Sequence, residues 1–195
     1  MIIPDWKIRE LDLFDPFLEN KQQSKNKLGT GLSSYGYDLS LSDKEFLYFR
    51  NSQRGSNHVI DPKEFYSDKT LQVAQMLLDS NSKDKYFILP AFSTGLGVAK
   101  EFISLPNNIV GQVVGKSTYA RCGIICPITP IESGWNGYLT IELFNSTNYP
   151  CRIYVNEGVC QVILYESEEC EVDYSQREGK YQNQLEEVTL AKINK

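Results

Sequence analysis

Residues 108–145 read NIVGQVVGKSTYARCGIICPITPIESGWNGYLTIELFN. The run from Asn108 to Val114 has the branched apolar character of a strand, and Gly115 ends it. Ser117 to Arg121 (STYAR) suits a short helix that starts there. Pro130, Gly134 and Gly137 then mark tight turns, the chemistry of a hairpin. The strand that follows, YLTIELFN, alternates: Leu139, Ile141 and Leu143 share one face, while Tyr138, Thr140, Glu142 and Phe144 share the other. Strand, short helix, hairpin and alternating strand within 38 residues indicate a β protein whose helices are minor insertions.

The rest of the chain repeats that rhythm. EFLYF, YFILPA, GLGVAKEF, RIYVN and VCQVILYE are short strand-like runs, with Gly, Pro, Asn or Asp between them. GLSSYGYDLSL reads as a turn entering a strand, after a polar loop NKQQSKNKLGTG. Many short strands of this kind predict an antiparallel sandwich or barrel. Two helices are expected besides STYAR: one over residues 5–12 with Asp5 as N-cap, and one over 70–79, where Leu71, Ala74, Leu77 and Leu78 share a helical face. No repeat or linker interrupts the chain, so residues 1–195 are expected to form one domain.

Composition narrows the chemistry. The 195 residues carry 25 acidic and 20 basic side chains, a net charge of −5, with 41% hydrophobic residues, an ordinary globular balance. That charge disfavours a nucleic-acid surface, which needs a basic stripe. No apolar run approaches the roughly 20 residues of a membrane helix, and the first residues lack the apolar core of a signal peptide. Five cysteines at irregular spacing suit reduced thiols and a cytoplasmic setting. The single histidine, His58, reads as an exposed loop residue; one histidine precludes a multi-histidine metal site within one chain. GQVVGKS (111–117) has three residues between its glycines where a phosphate-binding P-loop has four. A zinc deaminase needs His-x-Glu and Pro-Cys-x-x-Cys, and neither is present.

What remains is carboxylate, hydroxyl and basic chemistry. Ser117 and Thr118 would open a helix whose first backbone N–H groups lack intrahelical partners, an arrangement that suits an anion. Lys116 adds a charge, and Arg121 lies about one helical turn beyond Ser117. An ordinary helix start with solvated bases accounts for the same residues. Glu142 stands mid-strand among apolar neighbours, where a carboxylate is costly unless paired or used. It would serve either as a general base of raised pKa or in a salt bridge with Arg121 or Arg152.

Five motifs in order give the chain a resemblance to a known superfamily: SSYGYDL (33–39, with Gly36, Asp38 and Leu39), VGKSTYARCG (114–123), PIESGWNG (130–137), LTIELFN (139–145) and EGKYQNQ (178–184). The pattern resembles the dUTPase and dCTP deaminase superfamily, and within it the deaminase branch. The resemblance implies a mainly β, distorted antiparallel barrel with short helices, assembled as a homotrimer. It implies sites shared between subunits and a C-terminal lid over about 174–195. The implied reaction is hydrolytic deamination of dCTP to dUTP and ammonia, a step toward dTTP precursors, with Glu142 as base and no zinc. Ser117 and Arg121 would orient the water and phosphates, with Thr118 beside them. Thr129, Pro130, Ile131 and Glu132 would receive the pyrimidine. Lys116, Tyr174, Lys180, Tyr181 and Gln184 would hold the triphosphate, with Mg²⁺ carried between phosphates and no protein metal site. Inhibition by dTTP is common in the family. Two departures stand out: only Pro130 separates Thr129 from Ile131, where many deaminases have a longer stretch, and Glu132 replaces the usual aspartate. Alternatives left open are a bifunctional deaminase–diphosphatase yielding dUMP, a dUTPase, and a non-catalytic nucleotide-binding regulator.

Overall fold

The computed structural model describes residues 1–19, 26–50, 59–65 and 67–192. His58 and the first part of the polar loop, residues 20–25, lie outside them. In chain order the elements are α1 (Asp5–Leu11), β1 (Phe14–Asp15), β2 (Gly31–Ser33), β3 (Gly36–Phe49), α2 (Ser67–Thr70), β4 (Leu71–Val73), β5 (Leu77–Leu78), β6 (Lys85–Leu89) and β7 (Thr94–Ser104). They continue with β8 (Ile109–Gly115), α3 (Ser117–Arg121), β9 (Ile124–Ile125), β10 (Pro130–Ile131), β11 (Asn136–Asn145), β12 (Cys151–Tyr154) and β13 (Gly158–Glu166).

The predicted mainly β architecture holds. Ten strands form one curled antiparallel sheet along the path β10-β8-β13-β3-β7-β11-β9, with β1, β2 and β4 attached at its sides. A second sheet, β12-β6-β5, is smaller. The 14-residue β3 pairs with β13 through Tyr37–Ser40 and with β7 from Leu41 to Tyr48, the latter pairing broken by an irregularity between Leu41 and Phe46. Such a break bends the sheet around its core. Close passage is possible because β7 carries Gly97: a Cβ there would lie 2.5 Å from Leu41 Cδ1. Alternating side chains fill the interior, among them Val113 of β8, Ile141 and Leu143 of β11, and Val162 and Leu164 of β13. Phe14 stacks on Tyr37 at 4.1 Å between ring centroids, and Ile8 of α1 is fully buried.

Two sequence expectations need correction. Residues 70–79 are not a helix. Thr70 closes the short α2, Leu71–Val73 pairs with β3, and Leu77–Leu78 pairs with β6. Leu71 and Ala74 are buried, but Leu77 and Leu78 are 36% and 58% exposed, so the supposed helical face never gathers on one side. The open edges of β3 and β6 offer backbone partners, and tertiary pairing overrides local spacing. In α1, the N-cap is Pro4; Asp5 is the first helical residue, and its Oδ1 accepts from Trp6 N at 2.8 Å. All five cysteines are free. No helix among the described residues is long and apolar enough to cross a membrane.

Candidate active site

Glu142 lies on β11 opposite Leu96 of β7 and borders a cavity of about 500 Å³. Thr140 and Leu139 of the same strand border it too, because the pairing with β7 slips between Tyr138 and Thr140. The hairpin contributes Thr129, Pro130, Glu132 and Trp135, and the C-terminal tail contributes Tyr174, Tyr181, Gln184 and Thr189. Phe49, Phe65 and Leu96 form an apolar side.

No ion pair reaches Glu142 among the described residues. Arg152 bonds Asp79 at 2.8 Å, and Arg121 donates from Nη1 to the Ser117 carbonyl at 3.1 Å. Both salt-bridge partners offered by the sequence are thus turned elsewhere. Burial lifts the Glu142 carboxyl above the usual glutamate range, only partly opposed by a bond from its own backbone. A half-buried, unpaired carboxylate of raised proton affinity at a cavity wall is suited to proton transfer.

The tail is held by its own chain. Tyr138 N donates to Gln184 O at 3.0 Å, and Asn183 N donates to Asn136 O at 2.8 Å. Gly137, with φ 143°, makes this possible, since a Cβ there would sit 2.7 Å from Gln184 N. Thr140 Oγ1 donates to Gln184 Oε1 at 3.1 Å and accepts from Thr189 N at 3.0 Å. Upstream, Tyr174 N donates to Ser133 O, and the Tyr174 ring lies 5.6 Å from that of Trp135.

A second group of expected residues gathers elsewhere, at the end of β8. Lys116 donates from Nζ to Asp38 Oδ2 at 2.9 Å, joining the SSYGYDL and VGKSTYARCG motifs. Gln161 Nε2 bonds Asp38 Oδ1 at 3.1 Å. Ser117, Thr118 and Arg121 are exposed on α3, which is anchored by the buried Tyr119, whose hydroxyl accepts from Tyr154 N. None of Lys116, Ser117, Thr118 and Arg121 borders the Glu142 cavity.

Comparison with known proteins bears on this arrangement. Residues 6–167 match the family described as dCTP deaminase-like. The chain belongs to the dCTP deaminase-like family. A dCTP deaminase of Helicobacter pylori (strain P12) is 43% identical over 187 residues, covering 95% of this chain and 93% of that protein. One from Chlamydia abortus (strain DSM 27085 / S26/3) is 41% identical over 178 residues, covering 88% and 87%. At the level of fold, the crystal structure of 2'-deoxycytidine 5'-triphosphate deaminase from Agrobacterium tumefaciens superposes with a TM-score of 0.54 at 16% identity, covering 85% of this chain and 48% of that one.

The positions inferred from the dCTP deaminase resemblance therefore divide. Glu142, Thr129, Pro130, Glu132, Tyr174, Tyr181 and Gln184 meet at one cavity, while the α3 group does not reach it. Ile131 is buried in the core, and Lys180 borders a neighbouring cavity of about 660 Å³ together with Glu132, Tyr174 and Arg177. Thr129 O already accepts from Val113 N at 2.9 Å, and Pro130 has no N–H to offer a base. Among the described residues no three His, Cys, Asp or Glu side chains cluster to hold a metal ion.

Sequence reasoning missed the apolar wall and one buried acid. Phe49, Phe65 and Leu96 carry no chemical motif, so only the fold reveals them. Glu101 is fully buried in β7; its Oε2 accepts from Ser40 N at 3.0 Å, and its Oε1 accepts from Ser40 Oγ. Burial pushes its pKa up to about 7. The signal that singled out Glu142, an acid inside an apolar strand, is also present in GLGVAKEFIS.

Proposed function

We propose that this protein converts dCTP and water to dUTP and ammonia, with Glu142 as the proton-transfer group. The observation that carries the reading is the unpaired, half-buried Glu142 carboxylate at the wall of the 500 Å³ cavity. Glu142 would take a proton from water as the water oxygen bonds to C4 of cytosine. The same carboxyl would return that proton to N3 and then carry the C4 hydroxyl proton to the amino group, so that the C4–N bond breaks, C4=O forms and ammonia leaves. The net change is the exchange of an amino group for an oxygen. Family membership and the names of the relatives support the substrate, and the cavity supports the residue.

Ser117 and Arg121 would take part from a neighbouring copy of the chain. That reading rests on their absence from the lining of the Glu142 cavity within one chain, and it requires an oligomer, which the resemblance puts at a trimer. Gln184, Tyr174 and Tyr181 would close the nucleotide in, with Lys116 and Lys180 near its phosphates. Mg²⁺ would enter with the triphosphate as part of the substrate, held between its phosphates.

The test is product analysis. Incubation of the purified protein with dCTP and Mg²⁺ should release ammonia and dUTP in equal amounts, separated by ion-exchange chromatography. Release of dUMP and diphosphate would establish the bifunctional alternative, and the absence of ammonia would refute the assignment.

A further inference from the structure

The apolar side of the Glu142 cavity is also the seat of the tail. Leu47, Leu71 and Val188 form a small buried cluster, and Phe49, Phe65, Leu96 and Leu190 pack against it. Phe65 belongs to the stretch between β3 and α2, and its ring lies 6.0 Å from that of Phe49, tilted by 57°. Around Thr189 the tail alternates. Val188 and Leu190 turn into the cluster, while Thr189 borders the cavity and donates its N–H to Thr140 Oγ1. Thr140 in turn bonds Gln184, two residues along β11 from Glu142.

We propose that Phe65 is a positioning residue of the deamination: its ring joins the apolar wall beside Glu142 to Val188 and Leu190, so that the tail docks in register on Thr140. The Phe65 ring carries no polar atom and acts through the tail. Truncating it would open a gap beside the cluster on which Leu190 packs and let water into the cavity wall. A wetter wall would lower the Glu142 proton affinity, because burial is what raises it. The proposal rests on the reading of Glu142 as base, and the readouts below separate the two.

The experiment compares wild type with Phe65→Ala, Phe65→Leu, Leu190→Ala and the Phe65→Ala/Leu190→Ala double variant. Phe65→Ala should raise KM for dCTP several-fold, lower kcat, and move the acidic limb of the kcat–pH profile to lower pH; Phe65→Leu should restore most of each. Because both residues act through one apolar cluster, the double variant should be little worse than the worse single one. Trypsin should cut at the exposed Lys180 faster in Phe65→Ala and in Leu190→Ala than in wild type. Normal KM, pH limb and cleavage rate in a folded Phe65→Ala protein, or additive losses in the double variant, would overturn the proposal. Wild type that releases no ammonia would instead overturn the reaction, and the cleavage rates would still judge the role of Phe65.

Discussion

Two glutamates of this chain sit in apolar strands, and their surroundings give them opposite uses. Glu142 faces a cavity and has no ion-pair partner among the described residues, whereas Glu101 is sealed in the interior against Ser40. Sequence alone flagged the first as a mid-strand acid within the LTIELFN motif; the second carries the same signal in GLGVAKEFIS but lies in no motif. Glu101 has a testable consequence. Its folded pKa of about 7 exceeds the ordinary 4.5, so the folded chain binds this proton more tightly than the unfolded chain does. Stability should therefore fall as pH rises between those values and level off above them, by about 3 kcal/mol in total at 1.36 kcal/mol per unit. Glu101→Gln keeps an acceptor for Ser40 and loses the titration. Thermal unfolding at pH 5 and pH 8 should show a smaller loss of Tm in the variant than in wild type. Equal losses would show that Glu101 does not titrate across this range.

Among the elements, those with strong local signals were legible. α3 and β11 fall where the glycines and alternation of residues 108–145 place them, and seven of the expected site residues converge around β11. The 70–79 segment was misread because Leu71, Ala74, Leu77 and Leu78 satisfy helical spacing, while the vacant edges of β3 and β6 that recruit the segment are far away in sequence. The apolar wall was illegible for a similar reason: Phe49, Phe65, Leu96 and Leu190 become neighbours only through the fold. The contact between β11 and the tail was not legible: the sequence marks Gly137 only as a turn, whereas its positive φ and its proximity to Gln184 N exclude a side chain there. Gly137→Ala should detach the tail while leaving the curled sheet intact. The expected result is a raised KM for dCTP and faster tryptic cleavage of the tail, with strand content by circular dichroism unchanged. Wild-type KM in this variant would show that the tail does not serve the substrate.

At the scale of the whole molecule, Glu142 and the α3 group occupy separate places in a single chain, and the proposed function needs them together. A closed cyclic oligomer would supply α3 of one copy to the cavity of the next. Arg121→Ala and Glu142→Gln chains, each inactive alone, should then recover activity when co-refolded, because about one quarter of the sites in a random mixture draw both intact groups from different copies. No recovery would place the whole site within one chain. The single histidine and the acidic balance are compatible with the proposed function, which puts the chemistry on one carboxylate and needs only a few local donors for the nucleotide. The most direct measurement is therefore ammonia release from dCTP by Glu142→Gln, with dCTP affinity determined by calorimetry on the same sample. The account predicts affinity close to wild type and a kcat lower by about 10²–10⁴-fold, the usual worth of a positioned acid–base group. A variant that binds dCTP and turns it over at the wild-type rate would contradict it.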